Sequence, residues 1–249
     1  MTCFLGIIPA RYASTRFPGK PLALVNGKPM IERVYQQAMQ VFENVYVATD
    51  DERITSAVKK FGGKVIMTSP SHPSGTDRIC EALDKIEKQE DKTYQVVFNV
   101  QGDEPYIQAE ALNQLKECFN EASTHIATLA KPIHSTEDVF NPNHVKLVRD
   151  ASGKALYFSR SPIPYLRNIP QEQWAEKHTY LKHLGIYAYR TEVLRKVTKL
   201  HPSTLEIAES LEQNRWLENG FTIRVEITEY ESISIDTPED LERVNKMKL

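Results

Sequence analysis

The chain has 249 residues, of which 41% are hydrophobic and 26% charged, the profile of an ordinary globular protein with room for one large α/β domain. Its formal net charge of −2 argues against a general nucleic-acid binder, so any anion site must come from local clustering of cations. Cys3, Cys80 and Cys118 are too scattered for a disulfide framework or a zinc spacing, and there is no leader pattern or membrane-length apolar run, so a cytoplasmic protein is expected.

Residues 4–8 form a continuous apolar run, as a buried parallel strand requires. A basic loop follows it. From Pro29, the residues Met30, Ile31, Val34, Tyr35, Ala38 and Phe42 recur at helical spacing, with the proline placed at the first turn. Residues 45–48 read as a second strand. A helix bearing Ile54, Ala57, Val58 and Phe61 comes next, stopped by Gly62 and Gly63, and Asp50 and Asp51 read as its caps. Residues 65–67 are a third strand, Ile79, Leu83 and Ile86 a helix starting near Ser74, and residues 96–100 a fourth strand. A helix with Ile107, Ala111, Leu112, Leu115 and Phe119 closes this half. The alternation predicts an α/β fold, an open and mostly parallel sheet flanked by helices, with ligands bound outside the carboxyl ends of the strands.

The second half is less regular. Residues 126–130, 145–148, 155–159 and 184–189 read as strands, with a proline-bearing loop over 161–173. Ser203 and Glu206 form a capping box for a helix carrying Leu205, Ala208 and Leu211. Residues 221–227 and 233–235 read as late strands, and a final helix starts near Thr237 with Leu241 and Val244 inward. With no linker or repeat in view, residues 1–249 read as a single domain carrying a β-rich insertion over about 125–190, a candidate dimer surface.

The basic loop carries Arg11, Arg16 and Lys20, the hydroxyls of Tyr12, Ser14 and Thr15, and Gly19. Converging guanidinium and ammonium groups lower the cost of binding a polyphosphate. Neither G-x-x-x-x-G-K-[ST] nor G-x-G-x-x-G is present, and taken alone the loop also fits a solvated turn. Asp103 and Asp236 each follow a strand-like segment, where two carboxylates can share magnesium. Asp103 equally fits an Asp turn and Asp236 a helix N-cap. Arg78, Arg160 and His183 stand beside predicted elements, where a surface position is the usual fate of an arginine and a structural hydrogen bond the more frequent role of a lone histidine, with a ligand role open for each.

An ordered series of motifs runs the length of the chain: IIPARYASTRFPGKPL at 7–22, NGKPMI at 26–31, VATD at 47–50, SGTDR at 74–78 and NVQGDEP at 99–105. FNPNHVK at 140–146, ALYFSR at 155–160, HLGIYAYR at 183–190, LEQ at 211–213 and DTPEDLERV at 236–244 complete it. This series resembles the 3-deoxy-manno-octulosonate (Kdo) cytidylyltransferases. Asp77 and Ala188 are small departures from the pattern, and residues 161–182 carry no diagnostic motif. The resemblance implies a nucleotide-diphospho-sugar transferase-like sheet, a homodimer, and the reaction of CTP with Kdo to give CMP-Kdo and pyrophosphate in lipopolysaccharide biosynthesis. It implies that Arg11, Ser14, Arg16, Lys20 and Gln101 bind the nucleotide and that Asp103 and Asp236 carry Mg2+. Arg11, Lys20, Asp103 and Asp236 would then be the catalytic set, with Arg78, Arg160, His183, Tyr187, Glu212 and Gln213 around Kdo. The nearest rivals are a related nucleotidyltransferase for a sialic-acid-like sugar or a sugar 1-phosphate, and a non-catalytic nucleotide-binding subunit.

Overall fold

The apolar run at the start of the chain becomes β1 (Phe4–Ala10), two residues longer than its hydrophobic pattern and so reaching into the basic loop. This computed structural model describes residues 2–14, 16–231 and 233–247; Thr15, one of the loop hydroxyls, lies outside them. A 3-10 turn at Lys20–Leu22 follows, then the short hairpin β2 (Leu24–Val25) and β3 (Lys28–Pro29), and α1 (Met30–Ala38). β4 (Val45–Thr49), α2 (Glu52–Lys60), β5 (Lys64–Met67), α3 (Gly75–Glu90), β6 (Val96–Asn99) and α4 (Ala109–Glu117) continue the expected alternation. Next come β7 (Ile126–Ile133), α5 (Thr136–Phe140), β8 (Lys146–Arg149), β9 (Ala155–Ser159), α6 (Trp174–Lys177) and β10 (Tyr180–Arg190). α7 (Thr191–Val197), α8 (Thr204–Glu209), α9 (Glu212–Glu218), β11 (Ile223–Ile227) and α10 (Pro238–Lys246) end the series. The class is α/β, with a mostly parallel sheet flanked by helices. Among the described residues no helix is long and apolar enough to cross a membrane.

The chain divides into two compact units. One comprises Met1–Asn113, Arg190–Thr198 and Ser232–Leu249, the other Gln114–Tyr189 and Lys199–Glu231. In the first unit four parallel strands lie in the order β6-β1-β4-β5. Leu5 stands beside Val97, and Ile7 beside Tyr46. Leu5, Ile7 and Ile8, Val47 and Ala48, and Val96 to Phe98 are wholly buried, which is why these strands read as unbroken apolar runs. α3 packs on β1 through Ile79, Ala82, Leu83 and Ile86, spaced for one helix face. Ser74 caps it by accepting from the Asp77 N–H, and Asp51 caps α2 in the same way through Arg53.

A second apolar cluster positions the end of the chain. Val25, Met30, Ile235 and Val244 are buried together, with Phe17, Tyr106, Ile233 and Leu241 packed against them. Residues 233–235 are not the strand their pattern predicted. They carry no regular structure and are held by this cluster and by a backbone bond from the Ile235 N–H to the Asp103 carbonyl at 3.0 Å. Burial, rather than sheet pairing, accounts for their apolar character.

In the second unit β7 pairs antiparallel with β10 and parallel with β11, while β8 pairs with β10 and β9 in antiparallel fashion. The stretch expected as a β-rich insertion, about 125–190, carries β7 to β10. β10 is longer than the predicted strand because a register shift between Leu184 and Tyr187 interrupts its alternation without ending the pairing. α8 has the predicted Ser203/Glu206 capping box but stops at Glu209, and Ser210 turns into the left-handed region at φ 51. Leu211 therefore precedes a separate helix, α9, and α8 buries none of its residues, contrary to the inward face expected. The four short helices α5, α6, α7 and α9 were not predicted, since each is too short for a clear 3.6-residue pattern.

Candidate active site

The basic loop leaves the carboxyl end of β1 and is shaped by its own backbone. The Tyr12 carbonyl accepts from the N–H groups of Ser14 at 3.0 Å and Gly19 at 2.9 Å, closing the loop into a ring. Gly19 sits at φ 73, and a Cβ there would lie 3.1 Å from the Tyr12 ring, so glycine is required on two counts. The outer face of that ring carries the Arg53 guanidinium, 3.3 Å from its centroid.

Gly102 brings the turn after β6 against β1. Together with the Ser74–Gly75 helix start, these segments enclose a cavity of about 420 Å3 within the first unit. Arg11, Ser14, Arg16, Lys20, Arg78 and Gln101 line it, as do Asp103 and Asp236. All eight candidates from the first unit are thus brought to one place.

Their charges are arranged around Lys20. Its ammonium donates to Asp103 Oδ2 at 2.8 Å and to Asp236 Oδ1 at 3.1 Å, and its side chain is only 15% exposed. Arg16 reaches the same Asp236 oxygen at 3.1 Å. Arg11 is exposed, and its guanidinium makes no polar contact among the described residues. Asp236 is not the cap of α10. Thr237 is, in a box with Asp240, and the Asp240 carboxylate also accepts the Asp236 N–H at 3.1 Å. That leaves the Asp236 carboxylate to the cavity.

Arg78 is 4% exposed and committed from within the fold, donating to Thr68 Oγ1 at 2.7 Å and to Asp50 at 2.9 Å. Asp50 was expected to cap α2; Asp51 does so alone, and Asp50 instead fixes Arg78. His72 also lines the cavity and carried no sequence signal beyond preceding Pro73. Its Nε2 meets the Glu81 carboxylate. Burial works against that carboxylate's charge, but bonds from Lys85, the Ser69 N–H and His72 bring its pKa down to about 2.

Arg160, His183, Tyr187, Glu212 and Gln213 belong to the second unit. Arg160 is tied to the backbone: Nε donates to the Glu209 carbonyl at 2.7 Å, Nη1 to Pro142 at 3.1 Å and Nη2 to Ser210 at 3.4 Å. The His183 imidazole is enclosed by the fold, with Nε2 3.0 Å from Thr128 Oγ1 and the Phe158 and Tyr187 rings beside it. Burial pushes its pKa down to about 3, so it is neutral at physiological pH. The Tyr187 hydroxyl is buried with no partner among the described residues, and burial, with Tyr189 and Glu212 nearby, holds its pKa well above the usual value. Glu212 accepts from Arg215 at 2.7 Å, and Gln213 is buried on α9.

A parallel sheet whose strand ends present a basic loop beside two cavity carboxylates has the build of a nucleotidyltransferase. The chain belongs to the cytidylyltransferase family, whose profile matches residues 5–233, and within it to the 3-deoxy-manno-octulosonate cytidylyltransferases. The protein of that description from Parabacteroides distasonis is 57% identical over 98% of this chain and 97% of its own length. The one from Bacteroides thetaiotaomicron is 56% identical over the same shares. A solved structure of CMP:2-keto-3-deoxy-manno-octonic acid synthetase complexed with CTP has a TM-score of 0.89 and 45% identity, covering 98% of this chain and 97% of that one. A 4-diphosphocytidyl-2C-methyl-D-erythritol synthase from Anaerococcus prevotii shares the fold alone, with a TM-score of 0.62 and 15% identity over 98% of this chain and 95% of that one.

Proposed function

We propose that this chain transfers CMP from CTP to the C2 hydroxyl of Kdo, giving CMP-Kdo and pyrophosphate for lipopolysaccharide synthesis. The observation that carries this reading is the convergence of Asp103 and Asp236 on one cation beside the basic loop. The relatives named above give the substrate class.

The C2 hydroxyl oxygen bonds to the α-phosphorus and the bond from that phosphorus to the bridging oxygen of pyrophosphate breaks, while the hydroxyl proton is released. No enzyme nucleophile is needed, so positioning and charge stabilisation do the work. Arg11, Arg16 and Lys20 hold the triphosphate and take up the charge that grows on the departing pyrophosphate. Ser14 and Gln101 add hydrogen bonds to the nucleotide.

The carboxylates fit a divalent cation. Both offer oxygen donors at one point of the cavity wall, and no cluster of three or more His, Cys, Asp or Glu able to hold a metal exists among the described residues. A hard ion such as Mg2+ accepts this, since it is held by one or two carboxylates plus phosphates and water. Once bound, such an ion supplies Lewis acidity at the phosphoryl group. On the sugar side, neutral His183, Tyr187, Glu212 and Gln213 are assigned to Kdo hydroxyls, with the buried Tyr187 hydroxyl and Gln213 becoming available only once the fold around them opens. Arg78 or Arg160 supplies its carboxylate partner once an internal bond is exchanged.

The homodimer, with the β-rich stretch at about 125–190 as its surface, belongs to the same reading. So does the cytoplasm, which the CTP requirement and three free cysteines favour. Pyrophosphate release with CTP, Mg2+ and Kdo, run beside UTP, N-acetylneuraminate and sugar 1-phosphates, is the test. Release with CTP and Kdo alone is expected, and release only with another acid sugar would overturn the substrate.

A further inference from the structure

We infer that Lys20 is a built-in counter-ion: its ammonium holds the divalent-cation position between Asp103 and Asp236 until the nucleotide arrives, so the metal enters with CTP and not ahead of it. This rests on the reading of those two carboxylates as the cation site.

Three observations carry it. The Lys20 ammonium bonds both carboxylates at 2.8 and 3.1 Å, so the point where an ion would meet both is already occupied by a positive charge. Arg16 shares the Asp236 oxygen at 3.1 Å, and the two cations therefore balance the two carboxylates. Adding a bare divalent cation to this neutral group leaves two positive charges uncompensated and competes with three charge-assisted bonds. Adding it with a triphosphate does not, because phosphate oxygens give Lys20 and Arg16 new partners as the ion takes over the carboxylates.

The third observation is mechanical. Lys20 opens the 3-10 turn Lys20–Leu22, preceded by Gly19 in the left-handed region and followed by Pro21. The Lys20 N–H is bonded to the Phe17 carbonyl at 3.2 Å. The backbone is held, and only the flexible four-carbon stem needs to swing. Linkage then requires that nucleotide and metal each raise the affinity for the other.

The test uses Mn2+ alone and metal-free CTP as separate probes on the whole protein. Titration of Mn2+ followed by electron paramagnetic resonance, without nucleotide, is expected to show about tenfold tighter binding in Lys20→Met than in the native chain. Calorimetry of CTP in EDTA is expected to show about tenfold weaker binding in the same variant. A loop that has merely lost its shape weakens both ligands, so the opposite signs are diagnostic. Lys20→Gln serves if the methionine variant does not fold. Mn2+ binding that is unchanged or weaker on removal of the lysine charge overturns the inference. Adding Asp103→Asn to Lys20→Met is expected to abolish the tightened Mn2+ binding. Tight binding that survives it would mean that the carboxylates are not the cation site, a failure of the underlying reading and not of Lys20.

Discussion

Gly102→Ala is the most economical probe of how the fold builds the site. A Cβ at Gly102 would lie 2.9 Å from the Pro9 carbonyl oxygen and 3.6 Å from Ile8 Cγ2. The close neighbour is backbone in the central strand β1, so no side chain can swing away. A carbon–oxygen contact relaxes only at roughly 0.3–0.5 Å greater separation. β1 is paired on both sides, with β4 and β6, so the movement falls on the turn that carries Gln101 and Asp103. Asp103 is coupled to Lys20 at 2.8 Å through its carboxylate and to Ile235 at 3.0 Å through its carbonyl, so both cavity carboxylates feel the shift.

Misplacement of a reacting group by about 1 Å costs roughly 100-fold in rate, so a shift of a third to a half of that predicts a loss in kcat of about 5- to 10-fold. Overpacking predicts a stability loss of about 1–3 kcal/mol. The φ of Gly102 lies outside the left-handed region, so the effect is steric and not conformational. Steady-state pyrophosphate release gives kcat, and urea unfolding gives the stability. Gly185→Ala, where no atom of the described residues beyond the chain neighbours stands within 4 Å of the added carbon, is the matched stability control. A Gly102→Ala enzyme with native kcat and native midpoint would refute the idea that this contact sets the position of Asp103.

Asp103→Asn is expected to lower kcat by roughly 100- to 1,000-fold with an unchanged unfolding midpoint, and a near-native rate removes Asp103 from the mechanism. The His183 pKa is depressed from 6.5 to about 3 in the folded state, so the unfolded chain binds the extra proton first as pH falls. The native chain should therefore be at full stability above pH about 6.5 and lose up to about 2 kcal/mol from this group by pH 5, a loss that His183→Asn should abolish; equal pH slopes for the two chains would contradict it. Arg160→Lys replaces three backbone-directed donors by one ammonium, and is expected to raise the KM for Kdo while leaving that for CTP unchanged. Equal losses for both substrates would separate Arg160 from the sugar.

The parallel half of the fold was legible because buried parallel strands and their covering helices leave unmistakable patterns. β1, β4, β5 and β6 coincide with apolar runs to within two residues at either end. Legibility fails where a residue is buried for another reason. Ile233 and Ile235 are apolar because they close the cluster around Met30 and Val244, and strand periodicity cannot tell that from sheet pairing. In α8 a sound capping box opens a helix with Leu205 and Ile207 exposed, because a cap signal fixes where a helix starts and says nothing about which face is covered.

The candidate site was legible as a set of residue types, but not as a set of available groups. Which residue of an adjacent pair does what turns on a one-residue offset in backbone geometry. Asp51 caps α2 while Asp50 binds Arg78, and Thr237 caps α10 while Asp236 faces the cavity. Cations divide in the same manner. Arg11 is exposed without a polar contact among the described residues, whereas Arg78 and Arg160 are already satisfied by Asp50 and Thr68 or by three carbonyls. A charge already met by the fold is worth less to a ligand, because binding must first break an existing bond. The strongest pull on CTP should therefore come from Arg11, while Lys20 and Arg16 reach the phosphates only by exchanging a carboxylate oxygen for a phosphate oxygen. Nucleotide and metal binding are coupled for that reason, through the same two aspartates.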